Sequence, residues 1–266
     1  MPPNNNLRGL EKITEFLKII FESGNIDDKI DKPLSVILIA PVSSGKTTAI
    51  KQFKNNKNIL ITTDSTAYGI LKKYENSLKN SEIKHIIIPD LHSALARKKT
   101  TAEQLILFIN NSSEDGIFPS QTYGMSINNY IKPFGWILCL TTEGFKRKFK
   151  FLKEIGFISR FFVIEYKYDL SQIQLIIENI INEKDIEIPD IKINSMKTRK
   201  KIRGNPKVFR ELIVYSKILC KEGDSEILRM QKKLQTFLKA NASLNKRKQV
   251  TNEDLNKLKE LIDLIK

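Results

Sequence analysis

Between Leu34 and Thr48 the chain reads LSVILIAPVSSGKTT, and this stretch constrains the fold more than any other. Its first part is an apolar, β-branched run bounded by Pro33 and Pro41, the pattern of a strand buried on both faces of a parallel sheet. From Thr47 to Phe53 the pattern turns helical. Strand, phosphate-sized loop and helix in that order make a P-loop. The loop, Ala40-Pro41-Val42-Ser43-Ser44-Gly45-Lys46-Thr47, has Ala40 where the strict motif has its first Gly. Backbone N–H groups from Val42 to Thr47 are expected to curl around a β-phosphate, helped by the positive end of the helix. Lys46 is expected to neutralise β- and γ-oxygens and the Thr47 hydroxyl to ligate Mg²⁺. The predicted nucleotide contacts are therefore Pro41, Val42, Ser43, Ser44, Gly45, Lys46, Thr47 and Thr48.

Strand and helix patterns alternate through the first 168 residues. An amphipathic helix over Leu10–Glu22 puts Leu10, Ile13, Phe16, Leu17, Ile20 and Phe21 on one face. Strands are predicted at Asn58–Thr62, Ile83–Ile88, Trp136–Leu140 and Phe161–Tyr166, with helices at Tyr68–Leu78, Thr101–Asn111 and Lys146–Glu154. This spacing predicts an α/β fold, a parallel sheet with helices on both faces. After Tyr168 only helices are predicted: Ser171–Asn182, Asn205–Lys221, Glu226–Leu244 and Asn252–Ile265. In the second of these Asn205 is the N-cap and Pro206 the first helical residue. The expected organisation is an α/β domain over residues 1–168 and a small all-α domain over 169–266.

A nucleoside triphosphatase needs an acidic group at the end of a neighbouring strand to hold the metal, usually beside a carboxylate that polarises water. The segment IIIPDLH delivers Asp90 there, but the expected Asp-Glu pair is absent. Either Asp90 is the metal-side Asp and Leu91 replaces the Glu, or Asp90 takes the Glu position and Pro89 replaces the Asp. One carboxylate predicts slow hydrolysis. Thr141 and Thr142 end the fourth predicted strand, where a hydroxyl can touch the γ-phosphate or its water. Arg160, just before the fifth strand, is placed to reach a neighbouring subunit's site. Lys207 lies in the first turn of its helix, where a cation is unfavourable; pointing at phosphate oxygens would give it a use.

Charge adds a partner class. There are 45 Lys+Arg against 30 Asp+Glu, a net charge of +15, which points to a polyanion and first to nucleic acid. Three basic clusters stand out: Lys146-Arg147-Lys148 with Lys150 and Lys153, Lys197–Arg203, and Lys246-Arg247-Lys248. No zinc finger, helix-turn-helix or RNA-recognition motif is visible, so binding is expected to be sequence-independent and steeply salt-dependent. No apolar run reaches the length of a membrane span, and the N-terminus has no signal-peptide pattern. Cys139 and Cys220 sit in apolar surroundings and read as buried free thiols in a reducing cytoplasm.

The ordered motifs resemble an AAA+ ATPase, and within that superfamily the RuvB family of branch-migration motors, from about Leu10 to Ile265. The P-loop with GKTT matches. IPDLHSAL is similar to the strand-end segment Ile-Asp-Glu-Ile-His-Arg-Leu; matching His92 to the family His puts Asp90 on the catalytic Glu. LTTEGF resembles the sensor-1 strand end, with Thr142 as sensor, and ISRFF the arginine-finger segment, with Arg160 as finger. RGNPKVFREL resembles the sensor-2 helix, with Lys207 in place of its Arg, and VTNEDLNKL the closing helix of the lid. The resemblance implies ATP and Mg²⁺ as cofactors, with Thr47 and Asp90 on the metal. It also implies a ring, usually a hexamer, with nucleotide at each subunit boundary, and a pore-facing hairpin at Ile117–Phe134 including Tyr123, Met125 and Tyr130. The expectation is a minimal motor module without the family's winged-helix domain. It would act on DNA as a translocating ring or as an ATP-switched loader for a DNA-processing protein partner. The alternatives are a protein remodeller of the MoxR or chelatase type and an ATP-locked scaffold that barely hydrolyses.

Overall fold

A computed structural model describes residues 10–26, 32–63, 65–119, 129–168, 170–181, 188–193, 200–220 and 224–266. Five strands, β1 (Val36–Ile39), β2 (Ile59–Ile61), β3 (His85–Ile88), β4 (Gly135–Leu140) and β5 (Phe162–Glu165), form one sheet in the order β2-β3-β4-β1-β5. Every neighbouring pair is parallel. β1, β3 and β4 are buried along their whole length, as near-continuous Ile, Leu and Val runs require when both faces are covered. The helices are α1 (Glu11–Ser23), α2 (Lys46–Lys51), α3 (Ala67–Lys79), α4 (Leu91–Leu95), α5 (Lys99–Glu114), α6 (Thr142–Glu154), α7 (Leu170–Ile181), α8 (Pro206–Leu219), α9 (Asp224–Leu244) and α10 (Asn252–Leu261).

The strand order decides which helix covers which face. From β1 to β2 the chain moves across the sheet one way; from β2 to β3, β4 and β5 it moves back. Right-handed crossovers then put α2 on one face and α3 to α6 on the other. The two apolar cores follow this division. One joins Ile37, Ile39, Ile86, Ile88 and Leu138 to α3, α4, α5 and Leu152 of α6. The other joins Val36, Leu38, Cys139 and Ile164 to Ala49 and Ile50 of α2.

A six-residue crossover helix cannot cover that second face alone. α1 and the helices after β5 complete it: Phe16 packs on Phe162 and Phe237 at centroid distances of 5.8 and 5.3 Å, and Leu212, Leu234 and Leu258 join the same core. The helices expected to form a separate unit from residue 169 thus share a core with the sheet. A buried polar cluster pins this packing: Glu22 accepts from Asn25 Nδ2 (2.7 Å) and from the Ser243 hydroxyl of α9.

The element limits shift modestly from expectation. α5 runs from Lys99 to Glu114, and α6 begins at Thr142, where Thr141 caps it by accepting from Gly144 N (3.0 Å). α4 has no counterpart in the expected elements. Cys139 is buried as expected, but Cys220 is only half-buried, because α8 ends at Leu219 and leaves it at the helix margin. The base of the expected hairpin is present as the bridge Ile117↔Ile131, while Tyr123, Met125 and the rest of 120–128 lie outside the described residues, as do Lys197 to Arg199 of the second basic cluster. Among the described residues no helix is long and apolar enough to cross a membrane.

Candidate functional site

β1 lies beside β4, and the connections leaving these two strands run to opposite faces of the sheet, α2 on one and α6 on the other; the crevice beyond the carboxyl ends of such strands is where α/β sheets bind ligands. The loop after β1 is built there. Ser43 and Gly45 adopt left-handed conformations, with φ of 59° and 74°, on either side of Ser44. Such alternation turns successive N–H groups towards one concavity. The N–H groups of Val42 to Gly45 donate to no carbonyl among the described residues. Ser44 Oγ donates to the Pro41 carbonyl at 2.6 Å and closes the loop. Gly45 is required twice over, by its φ and because a Cβ there would stand 2.7 Å from Tyr168 Oη. Tyr166, at the end of β5, donates its hydroxyl to the Ser44 carbonyl at 2.7 Å and supports the loop from below.

Lys46 begins α2 and turns its ammonium back under the loop. Nζ donates to the carbonyls of Ala40 (2.9 Å) and Pro41 (2.5 Å) and lies 3.4 Å from Ser44 Oγ. Thr47, next in the helix, is exposed, and Thr48 is half-buried. Partial burial lowers the Lys46 pKa, and the nearby Cys139 and Asp90 act against that shift. Cys139 sits beneath the loop on β4, its thiol pushed up to about 12 by burial. Burial likewise raises the Tyr166 hydroxyl.

Asp90 follows β3 and is exposed. It is the N-cap of α4, its carboxylate accepting from Ser93 N (3.3 Å) and Ser93 Oγ (2.5 Å). The same carboxylate acts electrostatically on Lys46, so Asp90 both caps a helix and belongs to the loop's surroundings. His92, two residues on, lies beside the start of α6: a Cβ on Gly144 would be 3.7 Å from its Nδ1. Among the described residues no group of three His, Cys, Asp or Glu comes together as a metal centre. Thr47 and Asp90 both offer oxygen at this edge, and such donors fit a hard cation that keeps its remaining ligands from phosphate and water.

The other expected residues are more scattered. Thr142 turns its hydroxyl to Glu165 Oε1 at 3.4 Å. Both border a cavity of about 350 Å³ with Ile39 and Phe145, on the sheet face opposite α2. Arg160 lies at the amino edge of the sheet, six strand residues from the loop, or roughly 20 Å. It is not a lone surface Arg: its Nε is 3.1 Å from Glu114, and its Nη1 donates to the Gly156 carbonyl. The same Glu114 carboxylate takes Arg229 of α9, also at 3.1 Å. Asn205 caps α8 by accepting from Lys207 N (3.1 Å) and Pro206 opens the helix, as expected; the Lys207 side chain is exposed.

Four participants escaped sequence reasoning. Tyr166 and Tyr168 were legible only as a strand end, and the signal that could have found them is their place on the strand beside β1. Cys139 carried no signal beyond its position in β4. Glu114 had none, since its partners lie 46 and 115 residues away. No protein-family model and no curated protein matches this chain.

Proposed function

We propose that this chain is an ATPase of the AAA+ type, with Mg²⁺-ATP held by residues 40–48. One observation carries the reading: a left-handed loop with undirected N–H groups, and the Lys46 ammonium beneath it, share the carboxyl edge of a parallel sheet with Asp90. Bound Mg²⁺-ATP would supply a phosphoryl group whose charge is neutralised by the metal. The N–H groups of Val42 to Thr47 would hold phosphate oxygens, and Lys46 would exchange its carbonyl partners for them. Thr47 and Asp90 would orient the cation, Asp90 releasing Ser93 Oγ to do so. A single carboxylate where a pair is usual supports slow turnover.

Arg160 is too far to serve its own loop, so any catalytic role for it is in a neighbouring subunit, and that in turn implies an oligomer, in the AAA+ reading a ring. Thr142 and Lys207 would report on the γ-phosphate only after moving, Thr142 from Glu165 and Lys207 from open solvent. The net charge of +15 supports DNA as the polymer on which the cycle acts. The test is steady-state ATP hydrolysis with and without DNA, followed by mixing Lys46→Ala with Arg160→Ala protein. Each variant alone is expected to be inactive, and the mixture to recover activity, because an intact Lys46 then meets an intact Arg160 across a boundary. A mixture that stays silent while the wild type turns over would remove Arg160 from the site.

A second reading, a nucleotide-locked scaffold, is favoured by the sequence Pro89-Asp90-Leu91, which has no second carboxylate beside Asp90. Tight ATP binding with no turnover, with or without DNA, would select it.

A further inference from the structure

The three basic clusters have different fates. In the third, Arg247 is consumed internally, with Nη2 on buried Asp254 at 2.7 Å and Nη1 on Glu253 at 2.7 Å. In the second, Lys200 turns inward to buried Glu22 at 3.4 Å. The first lies on α6, where only Gly144 and Leu152 are buried. Lys146, Lys150 and Lys153 recur at i, i+4 and i+7 and so form one outward stripe with Arg147 beside it. Arg147, Lys148 and Lys150 have no ion-pair partner among the described residues, while Lys146 holds Glu143 in an exposed pair of 3.1 Å. Five cations on this helix face two carboxylates, Glu143 and Glu154.

Aromatic rings are interleaved with this charge. Phe149, 42% exposed, lies three residues after Lys146 and four before Lys153, on the edge of the same stripe, and is backed by Phe145 at a centroid distance of 5.4 Å. Phe151, 41% exposed, borders a groove of about 330 Å³ on the other flank, together with Lys148, Arg97 and Lys99. A solvated charged helix has no need of exposed phenylalanines. A second copy of a chain with net charge +15 is a poor electrostatic match for this face. Phosphates with unstacked bases fit both features: the stripe from Lys146 to Lys153 is about 10 Å long, the axial length of about three nucleotides of one strand, and an exposed ring accepts any base by stacking.

We propose that the outer face of α6 binds single-stranded nucleic acid, with Lys146, Lys150 and Lys153 on phosphates and Phe149 as a stacking platform. This deepens the nucleic-acid part of the preceding reading and rests on that part alone, so the test is run without ATP. The probe is a labelled oligothymidylate of about twenty nucleotides, longer than the ~4–16 nucleotides that one single-strand-binding module covers. Its binding to the full chain is followed by fluorescence anisotropy over a range of salt. Wild type is expected to bind it more tightly than a duplex of equal length. Phe149→Ala should weaken binding about tenfold, at the low end of what loss of one base stack costs, and Phe149→Trp should restore it. Lys146→Ala/Lys150→Ala should flatten the salt dependence by about 1.4 in the slope of log K against log salt, 0.7 per lost phosphate contact. Lys72→Ala/Lys73→Ala on α3, which removes the same charge, should not. Binding that survives both α6 variants unchanged would overturn the α6 assignment and leave the nucleic-acid reading standing. No binding by wild type to single strand or duplex would overturn both, and would leave a protein partner as the occupant of the aromatic face.

Discussion

At the carboxyl ends of β1, β3 and β4 the chain gathers Lys46, Asp90 and the Thr141-Thr142 pair, and most of their contacts are to their own loops and caps. At the amino ends of β1 and β5 it gathers Glu114, Arg160, Arg229 and Lys233, and these hold one another and the backbone: Lys233 donates to the Phe161 carbonyl at 2.7 Å and the Ser159 carbonyl at 3.2 Å. The first edge is a set of groups oriented by local chain geometry and open to a ligand. The second is a network that joins α5, the turn before β5 and α9, and its charges are largely satisfied within the chain. Parallel topology accounts for the contrast, because loops leaving the strands share one edge whereas the segments entering them share the other and pack against the preceding helices.

The largest expected effect lies at the carboxyl edge. Asp90→Asn should keep ATP binding and reduce hydrolysis on the order of a hundredfold, as loss of one group that acts in the transition state does. Its stability should change by less than about 1 kcal/mol, since Asn also caps helices. Turnover equal to wild type would show that Asp90 is only a cap.

Gly45→Ala should lower the unfolding free energy by roughly 1–2 kcal/mol, the cost of a left-handed L-residue. In the Tyr168→Phe background the loss should shrink, because the hydroxyl that a Cβ would meet is gone. Denaturant melts of the four proteins measure this, and additive losses would contradict the contact.

Glu114→Gln should cost about 1–2 kcal/mol of stability, between the values for exposed and buried pairs, since Glu114 and Arg160 are about four-fifths buried and Arg229 is about half exposed. A double-mutant cycle with Arg160→Ala should show coupling. If the two losses simply add, the amino edge is no network.

The smallest effect is a pH dependence. Burial pushes Lys233 down to about 8 from an ordinary 10.5. With the folded pKa the lower one, the unfolded chain binds more protons across that interval, so this group's contribution to stability rises as pH climbs from about 8 to 10.5 and is lost as pH falls through 8. Cys220, Glu226, Arg229 and Glu114 face the same amine. Lys233→Met should flatten the stability profile relative to wild type in that window; parallel profiles would mean the amine is charged throughout.

The same contrast explains what was legible in the sequence. The sheet strands, the loop and the α8 cap were readable because each is set by residues a few positions apart: an Ile-Leu-Val run, a Gly-Lys-Thr turn after it, an Asn-Pro pair. Asp90 was found by its place after β3, although its capping of α4 was not separable from a metal role. The amino edge was not readable. Arg160 was found, but its partners Glu114 and Arg229 reach it only through tertiary packing. The division at residue 168 follows a real change from strands to helices, yet the later helices close the face that the single crossover α2 leaves open, and that depends on strand order, which no local pattern states. Thr142 shows the limit within a motif: the strand end was right, but α6 starts at that residue and turns its hydroxyl to Glu165.

The most direct measurement is calorimetric titration of Mg²⁺-ATP into the purified full chain, wild type against Lys46→Ala, with thermal melts of both. Because the hydrogen bonds of the Lys46 ammonium among the described residues all go to its own loop, the variant should melt within a few degrees of wild type. Wild type is expected to bind one ATP per chain, and the variant to lose at least tenfold in affinity, about 1.4 kcal/mol. Equal affinity in two equally folded proteins, or no binding by wild type, would contradict the assignment of residues 40–48 as the nucleotide site.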